Sequence, residues 1–263
     1  MARTDALSHT VDGLAGRMRW FLLAEEGARR DGFLQAVAPA VKLPGLVALV
    51  VLAVTRPAIV EAAALFGLGV ALGVGSRVPL RAFAGRVVGP TAVAALVVAP
   101  QAVLLAGPPV ADTPLTTTGV AYVALFACRV GAGAAFLALL VLTTRVSALL
   151  AAARRLRVPP TAVALVAITY RYLLVFFAEL QRMVRARRAR TVGSPTLRET
   201  WRDSGHFTST FLVRTLERGE RVQRAARARG GGVAGYDRGR TLGGADLAFG
   251  AVVVAAATAV VLA

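Results

Sequence analysis

Residues 87–142 read VVGPTAVAALVVAPQAVLLAGPPVADTPLTTTGVAYVALFACRVGAGAAFLALLVL, and only Asp112 and Arg129 carry charge in that whole stretch. It holds two apolar runs, 87–105 and 119–142, each long enough for an α-helix to cross a hydrocarbon layer of about 30 Å. The segment between them, 106–118, contains Pro108-Pro109 and Thr116 to Thr118 but no Lys or Arg, whereas Arg77, Arg81 and Arg86 precede the first run. Basic loops stay on the cytoplasmic side. The arginine loop is therefore expected inside, the proline loop outside, and the run 119–142 is expected to return inward.

Working outward, residues 43–54 and 58–74 are two further apolar runs parted by Thr55-Arg56-Pro57, a helix break short enough for a hairpin turn. The first of them begins near Pro39. A last apolar run of 19 residues, 245–263, would place the carboxyl terminus outside. The run 161–178 is flanked by arginine clusters, and residues 171–240 hold 16 arginines against 6 acidic residues. Crossing would put a basic cluster outside, so it is read as a tilted or interfacial helix on the inner side. Five spans result, or six if 161–178 crosses. Arg145, Arg154, Arg155 and Arg157 surround Leu149, Leu150 and Leu156, the pattern of an amphipathic helix lying along the inner surface, ended by Val158-Pro159-Pro160.

Composition agrees with a bilayer environment. An apolar fraction of 56% and a mean hydropathy of +0.64 exceed those of soluble domains. Lys+Arg 31 against Asp+Glu 14 gives a net charge of +17, which a polytopic protein holds facing anionic lipid and acidic partners. The predicted class is all-α, a polytopic membrane protein of about five transmembrane helices with basic amphipathic helices in the cytoplasm. Its predicted parts are an N-terminal cytoplasmic segment 1–38, helices one to four over 39–142, a cytoplasmic helical module 143–242 and a terminal span 243–263. The first 38 residues lack the apolar core and cleavage site of a removable leader.

Several chemistries are excluded. Lys42 is the only lysine and follows Val41, so the Gly-Lys pair of a phosphate-binding P-loop does not exist, and ATP must bind another chain if the protein works with ATP. Cys128 stands alone, which rules out a disulfide framework within the chain. His9 and His206, the two histidines, have no ligand-spaced companions, so no metal site, cofactor site or catalytic group is assigned. Arg129 lies mid-span, where a cation costs at least about 2.5 kcal/mol on insertion scales, so it should face a neighbour, and Glu61 is the candidate partner.

Two segments share one plan. Over 170–190, apolar residues recur at Leu173, Phe177, Leu180 and Val184 and again at Phe176 and Met183, with Arg182, Arg185 and Arg188 beside them. Over 207–229 the apolar face is Phe207, Phe211, Leu212, Leu216, Val222 and Ala226, with Arg214, Arg218, Arg221 and Arg224 on another face. The endings match: Arg188-Ala189-Arg190 and Arg227-Ala228-Arg229-Gly230. Arg190 and Arg229 each fall seven residues after an apolar position, Met183 and Val222, so each guanidinium projects in line with an apolar seam. Its planar fork suits a carboxylate or carbonyl partner, and Ala189 and Ala228 leave room for one to approach.

These residues, together with Gly32 to Gln35, Val41-Lys42-Leu43, Thr143-Thr144-Arg145, Thr169 to Tyr172, Arg182-Met183, Phe211 to Arg214 and Arg221-Val222, resemble a known family. It is the transmembrane T components of energy-coupling factor transporters, in the cobalt and nickel branch called CbiQ. The resemblance implies two Ala-Arg-Gly motifs that end cytoplasmic coupling helices, here Ala189-Arg190-Thr191 and Ala228-Arg229-Gly230, each docking on one of two ABC ATPase subunits. ATP-driven motion would then tilt a separate substrate-binding membrane component. Thr191 replaces the glycine of the first motif, and Ala38-Pro39 replaces the family's Asp-Pro, removing a carboxylate. The T components of vitamin importers look similar. Two other readings are weaker: a lipid or isoprenoid enzyme binding phosphates lacks an acidic metal-binding cluster, and a nucleic-acid binder would not need apolar stripes on both helices.

Overall fold

The computed structural model describes residues 32–109, 115–190, 197–230 and 243–262. They form helices α1 Phe33–Ala36, α2 Pro39–Thr55, α3 Ile59–Gly75, α4 Leu80–Val98, α5 Gln101–Leu104, α6 Thr117–Thr143, α7 Val146–Arg155, α8 Pro160–Arg190, α9 Leu197–Ala228 and α10 Gly244–Leu262. Among the described residues, three stretches are long and apolar enough to cross a membrane: Leu80–Leu104, Thr117–Thr143 and Pro160–Ala186. Three shorter apolar helices accompany them, Pro39–Thr55, Ile59–Gly75 and Gly244–Val260. The chain is an all-α polytopic membrane protein.

One compact unit comprises 32–156 with 243–262, and a second comprises 157–190 with 197–230. In the first, α6 is the central helix and packs against α2, α3, α4 and α5. The reason lies in its spacing: Gly131, Ala132, Ala135, Phe136, Ala138, Leu139 and Leu142 are buried at intervals of three and four, and small residues bring the neighbouring backbones close. On α2, Lys42, Leu46, Leu49 and Ala53 form the matching buried stripe. The opposite face of α2 exposes Val47, Val51 and Val54, as a helix surrounded by lipid does. α10 packs on α2 at Gly45, where an added Cβ would sit 2.5 Å from Phe249 Cε1. α7 also packs on α2, so the amphipathic helix belongs to this unit.

Three details differ from the sequence reading. Arg81 and Arg86 lie inside the first turns of α4 rather than in a loop, and Arg86 Nη1 donates to the Ala82 carbonyl at 3.0 Å. An apolar tally starts this helix too late because its first turns carry charge. The run 161–178, read as a tilted or interfacial helix, continues without a break into the first arginine segment as the 31 residues of α8. No Gly or Pro interrupts 161–190, so nothing in the chain stops the helix where the composition changes. Thr116, expected in the outer loop, caps α6 by accepting the Gly119 N–H at 3.1 Å.

Candidate functional site

α8 and α9 meet through side chains that repeat at the same intervals. Glu179, Arg182, Met183, Ala186 and Arg190 on α8 and Asp203, His206, Phe207, Thr210 and Arg214 on α9 line one open groove of about 580 Å³. Offsets of three, four, seven and eleven keep each set on one helical face. Phe176 and Phe211 stack edge to face with ring centroids 6.4 Å apart. Beside them Glu179 takes Arg214 Nη1 at 3.1 Å on one oxygen and Arg182 Nη2 at 3.0 Å on the other. Arg214, placed by periodicity on the solvated face, thus reaches across to the partner helix. Glu179 is the single acidic residue between 170 and 190, which is the signal that could have located this pair.

Arg190 lines the groove together with Met183, and its side chain is exposed. Ala189, Ala228 and Arg229 are exposed too. Gly230 has φ +85°, a left-handed conformation that costs glycine little, and its N–H donates to the Arg227 carbonyl at 3.0 Å. The second Ala-Arg-Gly therefore ends its helix with a glycine turn that leaves Arg229 at the tip. Thr191 lies outside the described residues, as do 1–31 and Asp112.

The intramembrane charges do not pair as expected. Arg129 donates through Nε, at 3.0 Å, and through Nη2 to the carbonyl of Arg56, the C-cap residue of α2. Glu61 is not its partner, and Glu61 Oε2 is buried with no hydrogen-bond partner among the described residues. The last carbonyls of a helix lack intrahelical donors, and a guanidinium satisfies one of them without any countercharge.

A second polar cluster was not singled out from sequence. Lys42 is 1% exposed, and its ammonium donates to Thr144 Oγ1 at 3.1 Å, the Thr143 carbonyl at 3.3 Å and Thr143 Oγ1 at 3.4 Å. All three donors of the ammonium thus fall on the C-terminal end of α6, the negative end of its dipole. Asp246 is 5% exposed near the start of α10. Its Oδ1 accepts the Ala38 N–H at 2.5 Å, and its Oδ2 accepts the Gly243 N–H at 2.7 Å. Asp246 thus ties the start of α10 to the start of α2. The signals were present: Lys42 is the sole lysine, and Asp246 is the sole charge of the last apolar run.

Two comparisons with known proteins cover most of the chain. The family described as cobalt transport protein, CbiQ, matches residues 32–237. The cobalt transport protein CbiQ of Rhodobacter capsulatus is 30% identical over 224 residues, covering 84% of this chain and 83% of that protein. With a match that takes in all of α1 to α9, the chain belongs to the CbiQ family of cobalt transport proteins.

Proposed function

We propose that the chain is the transmembrane coupling subunit of an energy-coupling factor importer for cobalt or nickel ions. It takes up the motion of two ABC ATPase subunits through Arg190 and Arg229 and passes it to a separate membrane component that captures the substrate. ATP is hydrolysed in the other chains, and the tips of α8 and α9 face the cytoplasm. The observation that carries this reading is the pairing of two long helices through matched faces, each ending in an exposed Ala-Arg.

Family membership supports a role in cobalt transport. The basic face of each helix supports docking on an acidic, folded partner, since arginine holds carboxylates and carbonyls through two parallel hydrogen bonds. Replacing Arg190 and Arg229 together by Ala is expected to abolish co-purification of the ATPase pair, or cobalt uptake driven by it, while each single change gives a partial loss. Wild-type uptake by the double variant would reject the reading.

A further inference from the structure

The corner between α3 and α4 reads Ser76-Arg77-Val78-Pro79, and its arginine is left-handed, with φ 49°. A Cβ makes that conformation costly, and glycine fills it with little strain, as Gly230 does after α9. The other non-glycine residue with positive φ among the described residues is Arg157, at 63°, and it too is followed by Val-Pro. A proline keeps the residue before it out of the α region, so the helix must end where the arginine stands. The turn at Arg77 is held by α1. Ser76 is fully buried: its hydroxyl accepts the Leu34 N–H at 3.3 Å and donates to the Leu72 carbonyl at 2.6 Å, and its own carbonyl accepts Gln35 Nε2 at 3.0 Å. Strained backbone persists where its surroundings fix it in this way.

The guanidinium of Arg77 is not needed to finish α3. The carbonyls of Leu72, Gly73 and Val74 already take the N–H groups of Ser76, Val78 and Arg77. Arg81 follows four residues on, and neither arginine has a side-chain hydrogen bond or ion pair among the described residues. Both are exposed, and no acidic residue occurs in the sequence between Glu61 and Asp112. Val74 and Leu80, on either side of the corner in the chain, are exposed as well. The corner opens Leu80–Leu104, a stretch long enough to cross a membrane. A crossing helix begins at the level of the lipid headgroups, where apolar side chains dip into hydrocarbon while a guanidinium stays among the phosphates.

We propose that the corner carrying Arg77 and Arg81 binds the phosphate headgroup of an anionic membrane lipid. The planar fork of an arginine takes two phosphate oxygens at once, and two arginines without a protein countercharge favour a lipid of net negative charge over a zwitterionic one. Val74 and Leu80 supply the apolar contact with the acyl chains. The left-handed position fixes where the first fork stands, and α1 fixes the position.

The full chain is placed in nanodiscs of equal parts phosphatidylglycerol and phosphatidylcholine. It is compared with Arg77→Gly, Arg81→Ala and with Arg218→Ala, Arg221→Ala, which removes the same charge from α9. Lipids still bound after transfer to detergent are counted by native mass spectrometry, and melting is followed in discs of each lipid alone. The wild type is expected to retain phosphatidylglycerol over phosphatidylcholine by about fivefold or more, and to melt higher in the anionic discs. The corner variant loses most of both effects while its melting in phosphatidylcholine stays near normal, and the α9 variant keeps them. A wild type without lipid preference overturns the proposal. So does a corner variant that keeps the preference, or one that only melts lower by the same amount in both lipids, as a structural role alone would give. Equal loss in the two double variants also overturns it, since any pair of arginines would then serve. Should the corner variant fail to insert, Arg77→Gly alone leaves Arg81 in place: a reduced preference supports the site and an unchanged one overturns it. These readouts need neither ATPase nor cobalt ion, so they stand apart from the coupling role proposed above.

Discussion

Arg129, in the middle of α6, is stabilised by a backbone oxygen that no composition count would reveal. The sequence told that it must face a neighbour. It could not tell which, because the carbonyl of Arg56 is free only once α2 ends there. Lys42 carries the same lesson: its solitude among arginines was legible, but its three acceptors come from residues about a hundred positions away. Gly45 shows the limit on the packing side. Its missing side chain lets Phe249 lie against α2, and Ala there would meet the ring at 2.5 Å. Gly45→Ala is expected to lower stability by about 1–3 kcal/mol, the usual cost of overpacking, read as a lower melting temperature in detergent. Adding Phe249→Leu should recover part of that loss, and no recovery would mean that the contact is not the cause.

Among the elements, the arginine-bearing pair shows most clearly what periodicity can and cannot supply. The seven-residue offset put Arg190 in line with an apolar seam, and Arg190 and Met183 line a groove that also holds Glu179, Asp203 and Arg214. The glycine after Arg229 closes its helix at φ +85°. Missed were the continuity of α8 through the change from apolar to basic sequence and the crossing of α8 by α9. Helical continuity depends on breakers, and a contact between two helices depends on their relative course, which a one-dimensional pattern omits. At that crossing Phe211→Ala removes the edge-to-face pair, worth about 0.5–1.5 kcal/mol beyond burial. Arg214→Ala removes an ion pair whose arginine is half exposed, worth about 0.2–1 kcal/mol. Limited proteolysis of the purified protein should therefore accelerate more in the α8–α9 region for Phe211→Ala than for Arg214→Ala. The reverse order would assign the crossing to charge.

For the whole molecule, the all-helical membrane class was readable from apolar runs alone, and four of the five expected spans correspond to single helices with shifted ends. The third run divides at Pro100 into α4 and α5, and the stretch expected to stay interfacial is part of a helix long enough to cross. With Cys128 replaced by Ala, cysteines introduced at 190 and 229 are expected to react with a membrane-impermeant thiol reagent only after cells are opened. Labelling in intact cells would reverse the orientation. The helices of the bundle are also unequal in length. α2 and α3 have 17 residues each, about 25 Å of helix, whereas α6 has 27, about 40 Å. A bilayer meeting the α2–α3 flank must thin or let those helices lean, and stretching lipid tails to fit carries a cost that rises with mismatch. A neighbouring protein with an equally low profile would relieve that deformation, so the thickness of the surrounding membrane itself becomes a force that gathers companions to this side.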